Sequence, residues 1–156
     1  MIKRSLIVRV LVIVVPLLFL TAPAIVTGGD SVLLVTEEQA GLDNARGVFE
    51  EVDDGPTIKI KSPKNGSVLT GPFRLYVEIT KKADGANINM KTLKVNYLKM
   101  ITINITGKVK SYIKGNKVDV PDAEFPAGNH RTEIYIEDVD GNVSRKLFTV
   151  TVNKDE

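Results

Sequence analysis

Residues 130–152 read HRTEIYIEDVDGNVSRKLFTVTV, and this stretch decides the fold. Thr132, Ile134 and Ile136 alternate with Arg131, Glu133, Tyr135 and Glu137, so one side of the run is apolar and the other polar. Phe148, Val150 and Val152 alternate with Thr149 and Thr151 in the same way. A repeat of two belongs to an extended chain, whose successive side chains point to opposite faces. Between the two runs, Asp140-Gly141 supplies a pair that tolerates positive φ, the signal of a tight turn. The stretch is expected to form a half-buried β-hairpin.

The same pattern continues towards the N-terminus. Ile58 and Ile60 alternate with Lys59 and Lys61, and residues 62–67, Ser-Pro-Lys-Asn-Gly-Ser, form a turn. Phe73, Leu75, Val77 and Ile79 alternate with Arg74, Tyr76 and Glu78; residues 81–89 are polar and read as a loop. Leu93, Val95 and Tyr97 alternate again, and Ile101, Ile103 and Ile105 follow. The alternation then breaks. Val109, Tyr112 and Ile113 stand at i, i+3, i+4 after Thr106, a spacing that predicts one or two helical turns. Val118 and Val120 predict a short strand, punctuated by residues 121–124 and 126–129. About seven short strands in residues 57–153, each with one apolar face, predict an all-β, immunoglobulin-like antiparallel sandwich of two sheets. A closed small barrel is the alternative. The expected interior contains Phe73, Leu75, Val77, Ile134, Ile136, Phe148 and Val150.

A resemblance adds to this reading. Residues 57–67, TIKIKSPKNGS, are similar to the first strand and turn of bacterial extracellular immunoglobulin-like modules. Residues 125–142, FPAGNHRTEIYIEDVDGN, resemble their last hairpin, with Pro-x-Gly before the sixth strand and Asp-x-x-Gly-Asn at the last turn. The likeness covers residues 56–153 and implies the fold. Such modules serve as spacers, adhesive units and accessory domains, and the whole chain resembles small secreted bacterial proteins carrying one of them. The helix-like insert near residues 107–114 departs from the pattern.

Ahead of the sandwich, Lys3, Arg4 and Arg9 precede an apolar run over residues 10–20, which ends in Thr21-Ala22-Pro23-Ala24. A basic start, an apolar centre and a small-x-small exit predict a secretory signal over residues 1–24, cut after Ala24. The alternative is an uncut membrane anchor. Residues 10–26 form 17 mostly apolar positions, at the lower limit of a span, interrupted by Pro16 and Pro23. The expected location is periplasmic or extracellular. Residues 25–56 read as an acidic, partly ordered leader. Thr36 and Gln39 resemble a capping box, and Ala45, Val48, Phe49 and Val52 suggest a short helix over residues 37–50. Residues 154–156 read as a tail. The chain has no cysteine, which excludes disulfides, thiolate nucleophiles and cysteine zinc sites. It has 21 basic and 19 acidic residues; with three of the basic ones in the signal, the remainder is close to neutral and lacks the global field of a nucleic-acid binder.

Few residues suggest chemistry. Asp138, Asp140 and Asn142 place oxygen ligands at alternate positions, as calcium loops do, but without the twelve-residue loop or its terminal glutamate the pattern reads as a turn capped by the Asp138 carboxylate. His130 is the one histidine, and no nucleophile elbow surrounds any serine. Glu133 and Glu137 share a strand face about 13 Å apart, too far for a tight acid–base pair, and Asp119 with Asp122 reads as solvated charge. Three glycosylation triplets, at Asn65, Asn104 and Asn142, read as coincidence in a chain that looks bacterial. The less ordinary feature is seven lysines over residues 91–117 with no acid among them: Lys91, Lys94, Lys99, Lys108, Lys110, Lys114 and Lys117. Lys110 and Lys114 at i, i+4 predict a shared helical face, and Lys108, Lys110 and Lys114 a compact anion-binding patch. The expected function is that of an exported, non-enzymatic interaction or structural module without cofactor. Its expected partner is an envelope or extracellular protein or glycan. The second reading is an accessory protein that meets an anionic glycan, lipid or acidic protein through the lysines.

Overall fold

The computed structural model describes residues 30–47 and 49–154. The expected signal segment and cut site, Val48, and residues Asp155 and Glu156 of the expected tail lie outside the described residues. The elements in chain order are β1 (Val32–Leu33), α1 (Glu37–Ala40), β2 (Val52–Asp53), β3 (Thr57–Ser62), β4 (Ser67–Thr70), β5 (Phe73–Thr80), β6 (Ile88–Leu98) and β7 (Thr102–Asn104). There follow α2 (Thr106–Val109), a 3-10 turn (Lys110–Tyr112), β8 (Ile113–Lys114), β9 (Lys117–Glu124), β10 (Gly128–Asp138) and β11 (Val143–Asn153). Seven of these strands, β3 to β6 and β9 to β11, have four or more residues.

Two sheets pack face to face as a β-sandwich. The first runs β1-β9-β5-β3, with β8 also on β9; the second runs β2-β11-β10-β6-β7, with β4 also on β11. Long neighbours are antiparallel, and two short strands pair in parallel, β1 with β9 and β4 with β11. The outer edge of β11 is therefore shared. β2 pairs antiparallel with Ser144 and Arg145, while β4 pairs parallel with residues 150–153. In the gap between them, side chains replace a strand. Glu51 Oε1 accepts the Leu147 N–H at 3.1 Å, and Asn65 Oδ1 accepts the Thr149 N–H at 2.8 Å.

The inward phases of the alternating strands meet between the sheets. Leu75, Val77, Val118 and Val120 from one sheet pack in a single core with Val95, Tyr97, Ile134, Ile136, Phe148 and Val150 from the other. Of the expected interior, Phe73 is the exception: it is half-buried and packs on the core margin beside Phe125, with ring centres 5.7 Å apart. Residues 121–124, read in sequence as a break, continue β9. Between Phe73↔Ala123 and Leu75↔Val120 the register slips by one residue, and a bulge is a place where a strand tolerates proline. That is where Pro121 sits.

The N-terminal stretch differs most from its sequence reading. The helix expected over residues 37–50 is a single turn, Glu37–Ala40. Its capping box forms: Thr36 Oγ1 accepts the Gln39 N–H, and Gln39 Oε1 accepts the Thr36 N–H at 3.0 Å. Gly41 then closes the turn, and no residue of α1 is buried, so no apolar face stabilises a longer helix. The residues at helical spacing serve separate contacts instead. Phe49 lies beneath the Arg131 guanidinium, and Val52 joins β2. Nor is the stretch a mere leader, because Leu34 and Val35 are fully buried in the core.

Candidate functional site

The lysine-rich segment is distributed by the fold over both sheets. Lys94 lies over the Tyr135 ring, 5.0 Å from its centre, on the outer face of the second sheet. Lys99 is buried, donates to Asn44 Oδ1 at 3.1 Å, and has its pKa lowered by desolvation. Lys108 and Lys110 are exposed on α2 and the 3-10 turn. The shared helical face expected for Lys110 and Lys114 does not form: the helical stretch ends at Tyr112, and Lys114 belongs to β8. The cause is local. Gly107 is a poor helix former, and Ile113 is drawn into pairing with Val118.

A different cationic surface forms on the outer face of the first sheet. Residues opposite one another on adjacent strands share a face. Register places Lys59 of β3, Glu78 of β5, Lys117 of β9 and Lys114 of β8 in one row across four strands. Beside it lie Tyr76 opposite Asp119, then Arg74, with Lys61 at the β3 bulge. Five cations thus face Glu78 and Asp119, with Asp122 at the far bulge. The Arg74 guanidinium holds Asp119 through two parallel bonds, Nε to Oδ1 at 2.7 Å and Nη2 to Oδ2 at 2.8 Å, and lies 4.7 Å from the Tyr76 ring centre. Tyr76 donates to Glu78 Oε1 at 2.6 Å, while Lys117 and Lys61 approach the same carboxylate at 3.4 and 3.8 Å. The Tyr76 hydrogen bond and the two lysines lower the Glu78 pKa, and Arg74 lowers that of Asp119, aided by Lys114 and Lys117. Arg74, Tyr112, Lys114, Asp119 and Pro121 line a shallow depression of about 470 Å³. Lys59 and Lys114 make no ion pair among the described residues. The surface is thus a flat cationic platform with two tyrosines, able to hold anionic groups by charge and a flat ring or apolar face by contact.

Sequence parity already turns Lys59, Lys61, Arg74 and Tyr76 outward. What the sequence lacks is the order of strands in the sheet, which sets them beside Lys114 and Lys117.

The other candidates have structural roles. Asp138 Oδ1 accepts the N–H groups of Asp140 and Asn142 at 3.0 and 2.9 Å, and its Oδ2 accepts from Asn142 Nδ2 at 2.8 Å. These bonds, the Asn142 side chain foremost, lower its pKa and commit both oxygens to the turn. Of the Asp140-Gly141 pair only Gly141 takes positive φ. Among the described residues no cluster of three or more metal-ligating side chains occurs. Glu133 accepts from the buried Asn96 at 2.9 Å, and Glu137 accepts from the Tyr135 hydroxyl.

His130 is buried. Because a carbonyl only accepts, His130 Nε2–H donates to the Pro126 C=O at 2.7 Å, and Nδ1 accepts the Tyr97 hydroxyl at 3.0 Å. Phe125 stacks on the imidazole, with centres 4.7 Å apart. Burial raises the Tyr97 pKa to about 12 and pushes that of His130 below the usual 6.5. Both ring nitrogens are engaged, and the hydroxyl that Nδ1 meets is that of the buried Tyr97, whose raised pKa keeps it protonated. The sign for stability follows. Below pH about 6.5 the unfolded chain takes up a proton at His130 that the folded chain refuses, so the unfolded state gains and stability falls as pH drops towards the depressed folded value. Urea unfolding from pH 7.5 to 5 is expected to show this decline in the wild type and a flatter profile in His130→Gln. Identical slopes would exclude His130 as its source.

No protein-family model matches the chain, and no curated protein does. Solved structures share the architecture at a distance. An endo-beta-1,4-mannanase from Thermotoga petrophila matches 70% of this chain at 12% identity and a TM-score of 0.44, and the match spans only 21% of the mannanase. CopC from Methylosinus trichosporium OB3b matches 67% of this chain and 97% of its own length, at 12% identity and a TM-score of 0.42. PcoC, a methionine-rich copper resistance protein from Escherichia coli, matches 64% of this chain and 99% of its own length, at 18% identity and a TM-score of 0.40. These are likenesses of fold, and the functional reading rests on the residues of this chain.

Proposed function

We propose that this chain is an exported, non-enzymatic binding module of the immunoglobulin-like kind, which meets an anionic polymer through the outer face of its first sheet. Export is supported by the basic, apolar and small-residue order of residues 1–24. The absence of catalytic work is supported by the engagement of His130 with Pro126 and Tyr97. The observation that carries the binding role is the four-strand row of Lys59, Glu78, Lys117 and Lys114, flanked by Arg74 and Tyr76. Like charges directly opposite one another, as Lys114 and Lys117 are, oppose strand pairing. A ligand that neutralises them offsets that cost.

Retention on immobilised polygalacturonate, a linear polyuronate, tests the reading. The wild type is expected to bind at low salt and to elute as ionic strength reaches about 0.1 M, where screening acts within about 10 Å. The variant Lys59→Glu/Lys114→Glu/Lys117→Glu is expected to lose retention with its circular dichroism unchanged. Lys108→Glu/Lys110→Glu is expected to keep most of it. Loss confined to Lys108→Glu/Lys110→Glu would return the site to the helical segment, equal loss in both would mean retention by overall charge alone, and retention unaffected by either would remove the sheet face from consideration.

A further inference from the structure

The first sheet ends in an open edge. Its strand order sets β5 on one side of β3 and no strand on the other. One hydrogen bond fixes which groups face that edge. The Ile79 N–H donates at 2.9 Å to the C=O of Asn116, just ahead of β9, so Ile79 turns its backbone groups towards β9. In an antiparallel ladder a residue's N–H and C=O point the same way, and successive residues alternate. Glu78 and Thr80 therefore face β3 and their partners there, Lys59 and Thr57. Ile58 and Ile60 turn their N–H and C=O outward, and among the described residues no strand, turn or loop backbone bonds to them there.

The side chains of the edge define what fits along it. A strand added beside β3 continues its parity. Residues opposite Lys59 then point to the outer face, and residues opposite Ile58 and Ile60 point inward. Lys59 is exposed and makes no ion pair among the described residues, and Lys61 approaches Glu78 only at 3.8 Å. Inward, beside Ile58, lies a cleft of about 350 Å³, where Val52 and Asp53 of β2 and Ser144, Arg145 and Lys146 of β11 approach Thr57 and Ile58. Ser144 is buried, and its hydroxyl has no hydrogen-bond partner among the described residues. Backbone groups, outward cations and an inward hollow thus follow the alternation of an extended chain. A second copy of β3 would set lysine against lysine, which opposes pairing. An acidic strand meets the same lysines favourably.

We propose that β3 receives an extended acidic segment of a partner protein as an added strand. Its carboxylates lie beside Lys59 and Lys61, and its alternate side chains, short and apolar, turn towards the cleft beside Ile58. Backbone bonds at Ile58 and Ile60 supply the attachment, and the lysines select the charge. Two outward-facing residues give few bonds, so the contact is transient. Lys59 also belongs to the polymer-binding face. Strand addition does not depend on that reading, because the groups it requires are backbone groups at the edge.

The probe is a capped, fluorescently labelled peptide, Glu-Val-Glu-Val-Glu-Val, whose anisotropy is followed at about 0.15 M salt, where exposed charge is screened within about 8 Å. Only alternate amides of an added strand face β3. Methylating one alternate set of its backbone nitrogens is expected to weaken binding about tenfold or more, and methylating the other set to leave it unchanged. These peptides leave the protein untouched, so they decide the matter even where a variant unfolds. Ile60→Pro removes an outward N–H at an edge position, where proline is tolerated. It is expected to lose the peptide while keeping its circular dichroism and whatever retention on polygalacturonate the wild type shows, so failure of one reading is distinct from failure of the other. Binding that both methylated sets weaken equally, or that neither weakens, overturns the proposal and means that the peptide is not paired as a strand. Equal binding of the Lys-Val counterpart overturns the acidic partner. A dimer that grows with protein concentration and is absent from Ile60→Pro does so too, since a second copy then takes the edge.

Discussion

Replacing Ile136 with alanine is expected to cost about 2–5 kcal/mol, measured by urea unfolding. Ile136 is wholly buried on the inward phase of β10, in the core that both sheets share. Its partner across the ladder is Ser144 of β11, whose buried hydroxyl finds no hydrogen-bond partner among the described residues. The pocket left by truncation is therefore walled by a rigid ladder and collapses poorly. Against a total stability of about 5–15 kcal/mol for a domain of this kind, the loss is a large fraction. A loss below about 0.5 kcal/mol would mean that β10 turns its other face inward.

Leu34→Ala is expected to cost a similar amount, about 2–5 kcal/mol, and it separates two views of the N-terminal stretch. If residues 30–56 were a leader, the substitution would be nearly silent, within about 0.5 kcal/mol. In the structure Leu34 is 1% exposed, and its N–H donates to the Glu124 C=O at 3.0 Å. β1 is only two residues long and its pairing is weak by itself, so burial of Leu34 and Val35 is what holds it on β9. A cooperative transition that persists in this variant, with proteolysis cutting only within the N-terminal stretch, would show that stretch detaching alone.

These two residues also mark what sequence reading reaches. Ile136 was legible because period two in a strand of eleven residues is a strong signal, and parity alone sends Ile134 and Ile136 inward together. Leu34 and Val35 were not, since a short apolar patch before a capping box carries no period, and its burial depends on a gap beside β9 that no local residue announces. The candidate site divides in the same way. Parity turns Lys59, Lys61, Arg74 and Tyr76 outward, but their meeting with Lys114 and Lys117 depends on strand order, a property of the whole chain. The expected patch of Lys108, Lys110 and Lys114 relied on a helix that ends before Lys114. Lys99 shows a further limit: a lysine at a hairpin end reads as solvated, yet packing of residues 43 and 44 against the hairpin covers it.

The shared edge of β11 governs the order in which the molecule can assemble. β2, β4 and β10 all pair with β11, the last strand among the described residues, and β1 waits for residues 123 and 124. A polypeptide emerging N-terminus first thus presents its earliest strands long before their partners exist. Joining residues 52 to 145 and 68 to 151 closes long loops, the property that slows β-rich folding. Until β11 arrives, the sandwich stays open, and its closure becomes a single event.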